Sequence, residues 1–340
     1  MRSEDPSTDS EPLRPGFIAV VLALLSVGFL VHALHYDFVS DDAFISLRYA
    51  RNLLDGHGLV FNPGERVEGF TGLAWVLLVA LAGLLGADLL VAARVMGAGF
   101  GVATLWLSWR IAERLRAPGV HPVASLAAPA LVAANGAFAC WSLAGLETSL
   151  WVFVASSAAL AALGGRHRVS SGLAALSVLV RPEGMLVVLG LGIARAWGAR
   201  RGRWSGAIAW WVGPAVTIAA LTVFRLAYYG DIVPNTFHAK VGAGIDQWRR
   251  GFGYLAAYLA DFDGMVVAVG VLTFGLVRGG PWRLVAALVS LLWGGVVWVG
   301  GDGLPMYRFA VTPLPLLAAL QASVAGRLSQ GVATNAPAGS

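Results

Sequence analysis

The chain has 340 residues, of which 57% are hydrophobic and 13% are charged. Soluble domains carry about 25% charged residues, so this composition indicates a membrane protein. The formal net charge of +5 does not indicate a nucleic-acid partner, because the basic residues form short clusters between apolar runs, where topology signals belong. The single cysteine, Cys140, excludes an intrachain disulfide and a cysteine-based zinc cluster.

Apolar runs predict an all-α, polytopic membrane protein with about ten transmembrane helices, since one crossing needs about 20 apolar residues. We expect residues 1–15 to form a disordered cytoplasmic tail, 16–325 the membrane module and 326–340 a short tail. The predicted crossings, in chain order, are 16–35, 93–110, 120–137, 148–163, 169–181, 184–197, 205–228, 264–278, 283–300 and 309–325.

The apolar run over 72–86 is a special case, which we predict to be a surface or re-entrant helix on the outer side. Clusters of arginine belong on the cytoplasmic side of a membrane. If the N-terminus is cytoplasmic, all arginine clusters lie on the cytoplasmic side only when 72–86 does not cross the membrane. In that case the C-terminus is cytoplasmic too. These clusters are Arg110/Arg114/Arg116, Arg166/Arg168, Arg195/Arg200/Arg201/Arg203 and Arg278/Arg283.

The same topology collects five polar segments on the outer side of the plasma membrane. They are Tyr36–Thr71, Trp141–Thr148, Arg181–Gly184, Tyr228–Asp263 and Gly301–Arg308. Ionisable residues at such a depth usually mark a functional site. The candidate site therefore lies on the outer side.

The first outer loop is the most informative of these segments. Ser40 or Asp41 is a suitable N-cap, and Gly56 or Gly58 a suitable stop, which predicts a helix from about 42 to 54. Adjacent aspartates point in different directions, so one of Asp41 and Asp42 can cap this helix while the other faces a cavity. Capping and solvation of both residues is the alternative interpretation.

Each remaining segment has a functional and a structural interpretation. Glu147 is either a site residue or a helix N-terminal acid stabilised by the dipole. Arg181 and Glu183 are either site residues or a plain ion pair. The structural interpretation of the segment after Tyr228 is a turn around Gly230-Asp231 or Pro234-Asn235. Its functional interpretation is that His238 and Lys240 face an anion. Arg308 either binds substrate or only snorkels at the membrane boundary.

Taken together, these segments resemble bacterial GT-C membrane glycosyltransferases, in particular the terminal arabinofuranosyltransferase type of actinobacterial cell-wall synthesis. The similar blocks are Asp41–Ala50, Gly56–Thr71, Arg181–Gly184, Tyr229–Asp231 with Pro234–Thr236, and Gly301–Asp302 with Tyr307–Phe309. Members of that family usually carry a large outer C-terminal domain, where this sequence has only 326–340 after the last predicted crossing.

The resemblance implies a sugar on polyprenyl phosphate as donor, used on the outer face for a cell-envelope glycan or lipid acceptor. It implies that Asp41 or Asp42 is the catalytic base, and an inverting displacement; a retaining route would need a second carboxylate such as Glu147. Arginines bind phosphate with a bidentate fork. The candidates for the donor phosphate are Arg181, Arg308, Lys240 and His238. The candidates for other substrate contacts are Glu68, Glu147, Glu183, Asp231, Asn235, Asp302, Tyr307, His57 and Arg48.

No cofactor is firmly implied, and a divalent cation held by Asp41 and Asp42 is left open, because hard cations bind carboxylate oxygens. Two other functions also stay open. A transporter or flippase of lipid-linked sugars would need polar groups near the midplane and an inverted repeat. A non-catalytic scaffold of an envelope complex would tolerate loss of both aspartates.

Overall fold

A computed structural model describes residues 14–199, 204–235 and 244–335, with side chains to residue 330. Within these ranges the regular structure is helical. Numbered in chain order, the α-helices are α1 Pro15–Tyr36, α2 Ala43–Leu54, α3 Leu73–Leu84, α4 Leu89–Leu115, α5 Ala127–Ala134, α6 Gly136–Ser142, α7 Thr148–Leu163, α8 His167–Val180, α9 Gly184–Trp197, α10 Trp204–Tyr229, α11 Ile245–Tyr258, α12 Met265–Arg278, α13 Gly280–Val299 and α14 Leu314–Asn335. A 3₁₀ turn, Pro122–Leu126, precedes α5, and a π-turn, Leu259–Asp263, follows α11.

The helix predicted over 42–54 is confirmed as α2. Asp42 is its N-cap residue, and Asp41 accepts the backbone N–H of Asp42 through Oδ1 at 2.9 Å. The helix ends at Leu54, and Gly56 follows with φ +82°. Because a left-handed φ suits glycine, Gly56 is the stop that the sequence indicated.

Four described helices are long and apolar enough to cross a membrane, namely α1, α4, α10 and α13. Two bent pairs of helices could each form one further crossing, which would raise the number to six. The first pair is the 3₁₀ turn and α5 joined to α6, and the second is α11 and its π-turn joined to α12. The apolar helices α3, α7, α8 and α9 are shorter than the 18 residues that define such a candidate. The chain is therefore a helical membrane protein, and the count of ten crossings stays a prediction.

Two predicted runs have different bounds in the structure. The run over 120–137 is broken at Asn135, whose side chain accepts the N–H of Phe138 and starts α6 at a bend of 62°. The run over 309–325 begins to be helical only at Leu314, because Pro315 suits the first turn of a helix and residues 307–313 form turns. Helix α14 then continues to Asn335, well into the predicted tail.

Helix α7 lies at the centre of the bundle, with most of its side chains buried. It packs against α4, α8 and α14, while α1 and α10 lie further out with exposed apolar faces. Helix α3, predicted as a surface helix, packs on α2, α4 and α8. This arrangement places the N-terminal end of α7 among the ends of α2, α9 and α14, where the polar segments meet.

Candidate active site

Four of the five predicted outer segments meet in one group of charged side chains, which we call the arginine cluster. Its members are Arg181 and Arg308 with the carboxylates of Asp42, Glu147, Glu183 and Asp302. They come from the turn before α2, the turn before α7, the connection between α8 and α9, and the connection between α13 and α14. The tertiary fold, and no local motif, assembles the group.

Arg181 is positioned by the end of α8. The residue has extended backbone, with φ −153° and ψ 148°, and Pro182 follows, so the chain leaves the helix there. The guanidinium donates to Glu147 Oε1 at 2.9 Å and to both carboxylate oxygens of Glu183 at 3.0 and 3.2 Å. Arg181 is 6% exposed. One buried cation is thus shared by two acids, and Glu147 acts as its partner instead of capping α7.

Arg308 repeats this arrangement on the other side of the cluster. Its Nε and Nη2 donate to the two carboxylate oxygens of Asp302 at 2.7 and 3.3 Å, and its Nη1 donates to Asp42 Oδ2 at 3.4 Å. Arg308 is 5% exposed. It is therefore not a snorkelling arginine, and Asp42 is tied to it across 266 residues of sequence.

The ring of Phe309 joins the two arginines. The guanidinium carbon of Arg181 lies 4.8 Å from the ring centroid, and that of Arg308 lies 5.1 Å from it. Trp141 covers Arg308 at 5.3 Å and donates its indole N–H to Met306 O at 2.8 Å. Both cations are thus held over aromatic faces, an arrangement that favours a planar guanidinium over an ammonium.

A sharp turn presents Arg308 to the cluster. Gly300 and Gly301 have φ of +85° and +79°, and a Cβ at Gly301 would lie 2.6 Å from the Tyr254 ring. Met306 and Tyr307 also have left-handed φ values, 59° and 49°. Left-handed non-glycine residues are uncommon and are often found at functional sites.

The charges of the cluster do not balance. Two guanidiniums face four carboxylates, which gives a formal charge of −2 when all six groups are ionised. Burial opposes ionisation of Glu183, but the charge and hydrogen bonds of Arg181, with Arg308 nearby, outweigh it, so the pKa of Glu183 lies below its ordinary value. Glu183 therefore stays ionised at neutral pH and holds Arg181 in place.

An apolar recess opens beside Arg181. Its enclosed volume is small, about 20 Å³, and the rest of the recess is open to its surroundings. Trp151, Leu292, Val296 and Phe309 line it, together with Arg181 and Glu183. The recess thus offers a lipid-like wall with a cation at one end.

The structure separates the two adjacent aspartates. Asp41 is exposed, and its described bond is the one to the backbone N–H of Asp42. The Asp42 side chain is 39% exposed and reaches Arg308. Asp42 is thus the aspartate whose carboxylate lies at the rim of the cluster.

One other candidate, Glu68, lies in a second group, which we call the loop clamp. Here Glu68 pairs with Arg225 of α10, whose Nε lies 2.8 Å from Oε2 and whose Nη2 lies 3.0 Å from Oε1. Tyr228 OH accepts the N–H of Leu59 at 3.0 Å, and Tyr229 donates to Leu59 O at 2.8 Å. The clamp fastens the first outer loop to the end of α10.

Three further candidates, Arg48, Asp231 and Asn235, form hydrogen bonds within and between the loops. Arg48 donates to Phe61 O at 2.7 Å and to Asn62 Oδ1 at 3.3 Å, which braces the loop. Asp231 Oδ1 accepts the N–H groups of Ile232 and Val233, as the turn interpretation predicts. Asn235 donates its N–H to Glu68 O at 3.0 Å.

Three predicted site residues either have no described contact with these groups or lie outside the described residues. His57 is exposed near the end of α2. His238 and Lys240 lie outside the described residues, as do Arg200, Arg201 and Arg203 of one arginine cluster used for topology. Among the described residues, no group of three or more His, Cys, Asp or Glu side chains is arranged to hold a metal ion. The phosphate role of His238 and Lys240 and the divalent cation stay predictions.

The sequence interpretation missed three residues that the structure brings to these groups. Phe309 and Trp141 carry no charge, so their position over the arginines has no signal in a search for polar residues. Arg225 sits inside the apolar run of α10. A lone arginine in a predicted crossing usually has an acidic partner or a functional role. Arg225 could therefore have prompted a search for its partner, Glu68.

No known protein-family profile matches the chain. Two characterised relatives carry the name terminal β-(1→2)-arabinofuranosyltransferase. The one from Mycobacterium tuberculosis is 32% identical over 247 residues, which are 65% of this chain and 38% of the relative. The one from Corynebacterium glutamicum is 31% identical over 276 residues, 69% of this chain and 38% of the relative. The chain thus spans well under half the length of either.

Two solved structures share the fold. The archaeal oligosaccharyltransferase AglB from Archaeoglobus fulgidus, in complex with an inhibitory peptide and a dolichol-phosphate, superposes with a TM-score of 0.63 at 12% identity, covering 95% of this chain and 52% of AglB. ArnT from Cupriavidus metallidurans, bound to undecaprenyl phosphate, gives a TM-score of 0.55 at 14% identity, covering 94% and 64%. These matches confirm the resemblance that the motifs indicated: the chain belongs to the family of the terminal arabinofuranosyltransferases and shares the fold of AglB and ArnT.

Proposed function

We propose that the protein transfers a sugar, arabinofuranose by its relationship, from a polyprenyl-phosphate donor to a cell-envelope glycan or lipid acceptor. The main support for this proposal is that two buried arginines, Arg181 and Arg308, and the partly exposed Asp42 meet beside an apolar recess. A scaffold has no need of such a group. A transporter of this kind is usually built from an inverted repeat, of which the sequence gives no sign.

The donor would bind with its phosphate at Arg181 and Arg308 and the first part of its prenyl chain in the recess. Arginine matches phosphate geometry with two parallel N–H bonds, and the recess is lined largely by apolar side chains. AglB was solved with a dolichol-phosphate and ArnT with undecaprenyl phosphate, which supports the same class of donor here.

The formal charge of −2 sets a condition on this binding. A phosphate adds negative charge, so a further cation must enter the site with it, since like charges at short range repel. His238 and Lys240 are the protein candidates, and a divalent cation is the alternative. Either would neutralise the leaving phosphate as charge develops on it.

Asp42 is the base in this proposal. Its carboxylate takes the proton of the acceptor hydroxyl while that oxygen forms a bond to the anomeric carbon. The bond from the anomeric carbon to the donor phosphate breaks, and the phosphate leaves with the electron pair, stabilised by the arginines. Such a direct displacement inverts the anomeric centre. Glu147, the nucleophile that a retaining route would need, is buried and bonded to Arg181, which favours inversion.

Asp41 has a supporting part in the same scheme. Its bond to the Asp42 N–H fixes the start of α2 and with it the direction of Asp42. We place the site on the outer side of the plasma membrane, with ten crossings, both termini cytoplasmic and α3 at the outer surface. The distribution of arginine clusters supports this orientation.

The test is transfer in liposomes containing the purified protein, with polyprenyl-phosphate arabinofuranose, a panel of other lipid-linked sugars and a short glycan acceptor. Wild type should transfer, and Asp42→Asn should lower the rate by about 10²–10⁴-fold without lowering the unfolding temperature. Asp55→Asn, an exposed aspartate at the end of α2, is the matched control and should act as wild type. Equal transfer by wild type and Asp42→Asn would remove Asp42 from the mechanism; no transfer from any donor would contradict the enzymatic function.

A further inference from the structure

An aromatic patch lies immediately beside the arginine cluster and has no part in the donor site. We call it the tyrosine platform; it comprises Tyr307, Asp261 and Phe262. Tyr307 precedes Arg308 in the chain, and the two others belong to the π-turn after α11. None of the three lines the apolar recess. The platform residues therefore lie outside the lining of the proposed prenyl site.

The platform combines an open aromatic ring with an exposed carboxylate. The Tyr307 hydroxyl donates to Asp261 Oδ2 at 2.7 Å. Tyr254, Tyr258 and Phe262 hold the Tyr307 ring through edge contacts, with centroids 5.5, 5.8 and 6.1 Å away. Asp261 is exposed, while Tyr307 and Phe262 are half-buried. Other rings thus fix the Tyr307 ring while the hydroxyl and the acid stay within reach of a ligand.

The backbone at this turn gives two neighbouring residues different tasks. Met306 and Tyr307 adopt left-handed φ values of 59° and 49°, which non-glycine residues rarely do without a structural or functional reason. After the turn, Arg308 is buried against Asp302, while Tyr307 contacts Asp261 on the exposed turn. Tyr307 of the platform is thus held directly next to Arg308, which is proposed to bind the donor phosphate.

A buried oxygen at the same turn lacks a partner. Asp263 Oδ2 is buried and has no hydrogen-bond partner among the described residues. Its neighbour Tyr258 accepts a bond from Asn135 at 3.2 Å and touches the Tyr307 ring. Buried polar atoms are nearly always satisfied by protein, water or ligand. The Asp263 carboxylate also hydrogen-bonds Tyr258, so Oδ2 is its one oxygen without a partner among the described residues.

The chemistry of the platform suits a neutral, hydroxyl-rich ligand. A carboxylate accepts short, charge-assisted bonds from sugar hydroxyls, and an aromatic ring provides apolar area for the C–H face of a sugar, as ligand sites commonly combine the two. The platform residues include no cation that could bind a phosphate. The platform therefore suits a sugar without phosphate, which in a transfer reaction is the acceptor and not the lipid-linked donor.

We propose that Tyr307, Asp261 and Phe262 form the binding platform for the acceptor sugar. This inference rests on the proposed glycosyl transfer. It assigns the donor to the recess side of the arginine cluster and the acceptor to the side of the π-turn. The acceptor hydroxyl then approaches the rim where Asp42 contacts Arg308.

The test compares acceptor and donor parameters in the full-length protein, with octyl arabinofuranoside as the acceptor probe. Asp261→Asn and Tyr307→Ala should raise the acceptor KM by about tenfold or more, the loss expected for a hydrogen bond to a charged group. They should leave kcat and undecaprenyl-phosphate binding close to wild type. Asp246→Asn, an exposed acid in the first turn of α11, is the matched control and should change neither.

Separate outcomes identify which proposal has failed. Transfer by wild type with an unchanged acceptor KM in both variants overturns the platform and leaves the transfer intact. A fall in undecaprenyl-phosphate binding in both variants also overturns it, because the residues would then serve the donor. If wild type transfers nothing, direct binding of octyl arabinofuranoside decides: binding lost in Tyr307→Ala supports the platform, and no binding to wild type overturns it.

Discussion

The arginine cluster and the loop clamp are built from the same kind of bond and differ in their balance of charge. In the clamp, one arginine meets one glutamate in a bidentate pair, Arg225 with Glu68. In the cluster, Arg181 and Arg308 are each shared by two acids, at the mouth of a recess and with Asp42 partly exposed. A balanced pair is sufficient to fasten a loop. An unbalanced group costs free energy on folding, and such a cost is typical of functional sites.

The two regions also differ in how their acids ionise. Burial raises the pKa of Glu68, and the opposing effect of Arg225 only partly offsets this. Burial acts in the same direction on Glu183, but Arg181, with a contribution from Arg308, reverses it, so the pKa of Glu183 is lowered. Two cations thus lower the pKa of Glu183, whereas Arg225 is the cation that acts on Glu68.

The largest expected effect comes from the cluster. Arg308→Lys keeps the charge but loses the fork that holds Asp302 and Asp42. We expect kcat/KM for sugar transfer to fall by about 10²–10³-fold, as for loss of one donor to a developing anion. Arg225→Lys in the clamp is the matched control and should lower activity far less. Equal losses in the two variants would remove the distinction between the regions.

The next effect is on stability and comes from the clamp. Glu68→Gln turns one of the two oxygens that accept from Arg225 into an amide donor. Glu68 is 4% exposed, and a buried donor left without an acceptor costs about 1–3 kcal/mol. We expect a lower unfolding temperature in detergent, with transfer per folded molecule reduced much less than in Arg308→Lys. Glu65→Gln, at an exposed position in the same loop, should leave the unfolding temperature unchanged; a similar drop there would show that the effect is not specific to the pair.

The pH dependence of stability should differ in sign between the regions. The folded pKa of Glu183 lies below the ordinary value of 4.5, so its contribution is fully present above 4.5 and is lost as pH falls through the folded value. The folded pKa of Glu68 lies above 4.5, so its contribution is fully present below 4.5 and is lost as pH rises through the folded value.

Unfolding temperatures of wild type, Glu183→Gln and Glu68→Gln, measured from about pH 4 to about pH 7, test this. The difference between wild type and Glu183→Gln should stay constant above 4.5. The difference between wild type and Glu68→Gln should narrow as the pH rises above 4.5. If the two differences in unfolding temperature changed with pH in the same way, the proposed contrast between Glu183 and Glu68 would be wrong.

The smallest effects are expected at residues that the motifs selected but the structure leaves away from the cluster. His57 is exposed, and Arg48 braces the loop through Phe61 and Asn62. His57→Ala should leave transfer within about twofold of wild type, as exposed substitutions usually do. Arg48→Ala should lower the unfolding temperature slightly with no change in kcat. A large loss of kcat in either variant would extend the site beyond the cluster.

The sequence predicted much of this arrangement because the signals were local. The helix from Ala43 to Leu54 has a polar start and a glycine stop, and each polar segment stands between apolar runs. Pairing was not predictable, because Asp42 and Arg308 are 266 residues apart and only packing decides which carboxylate meets which arginine. For the same reason Glu68 was predicted among the substrate contacts, although the structure places it in the clamp with Arg225.

Binding of undecaprenyl phosphate to detergent-solubilised wild type, Arg181→Lys and Arg225→Lys tests the central claim most directly, because it compares one buried arginine from each region. If the arginine cluster is the donor site, Arg181→Lys should weaken binding by about tenfold or more, as expected for a lost hydrogen bond to a charged group. Arg225→Lys should bind as wild type does. Unchanged binding in Arg181→Lys, or an equal loss in Arg225→Lys, would contradict the assignment of the donor phosphate to the cluster.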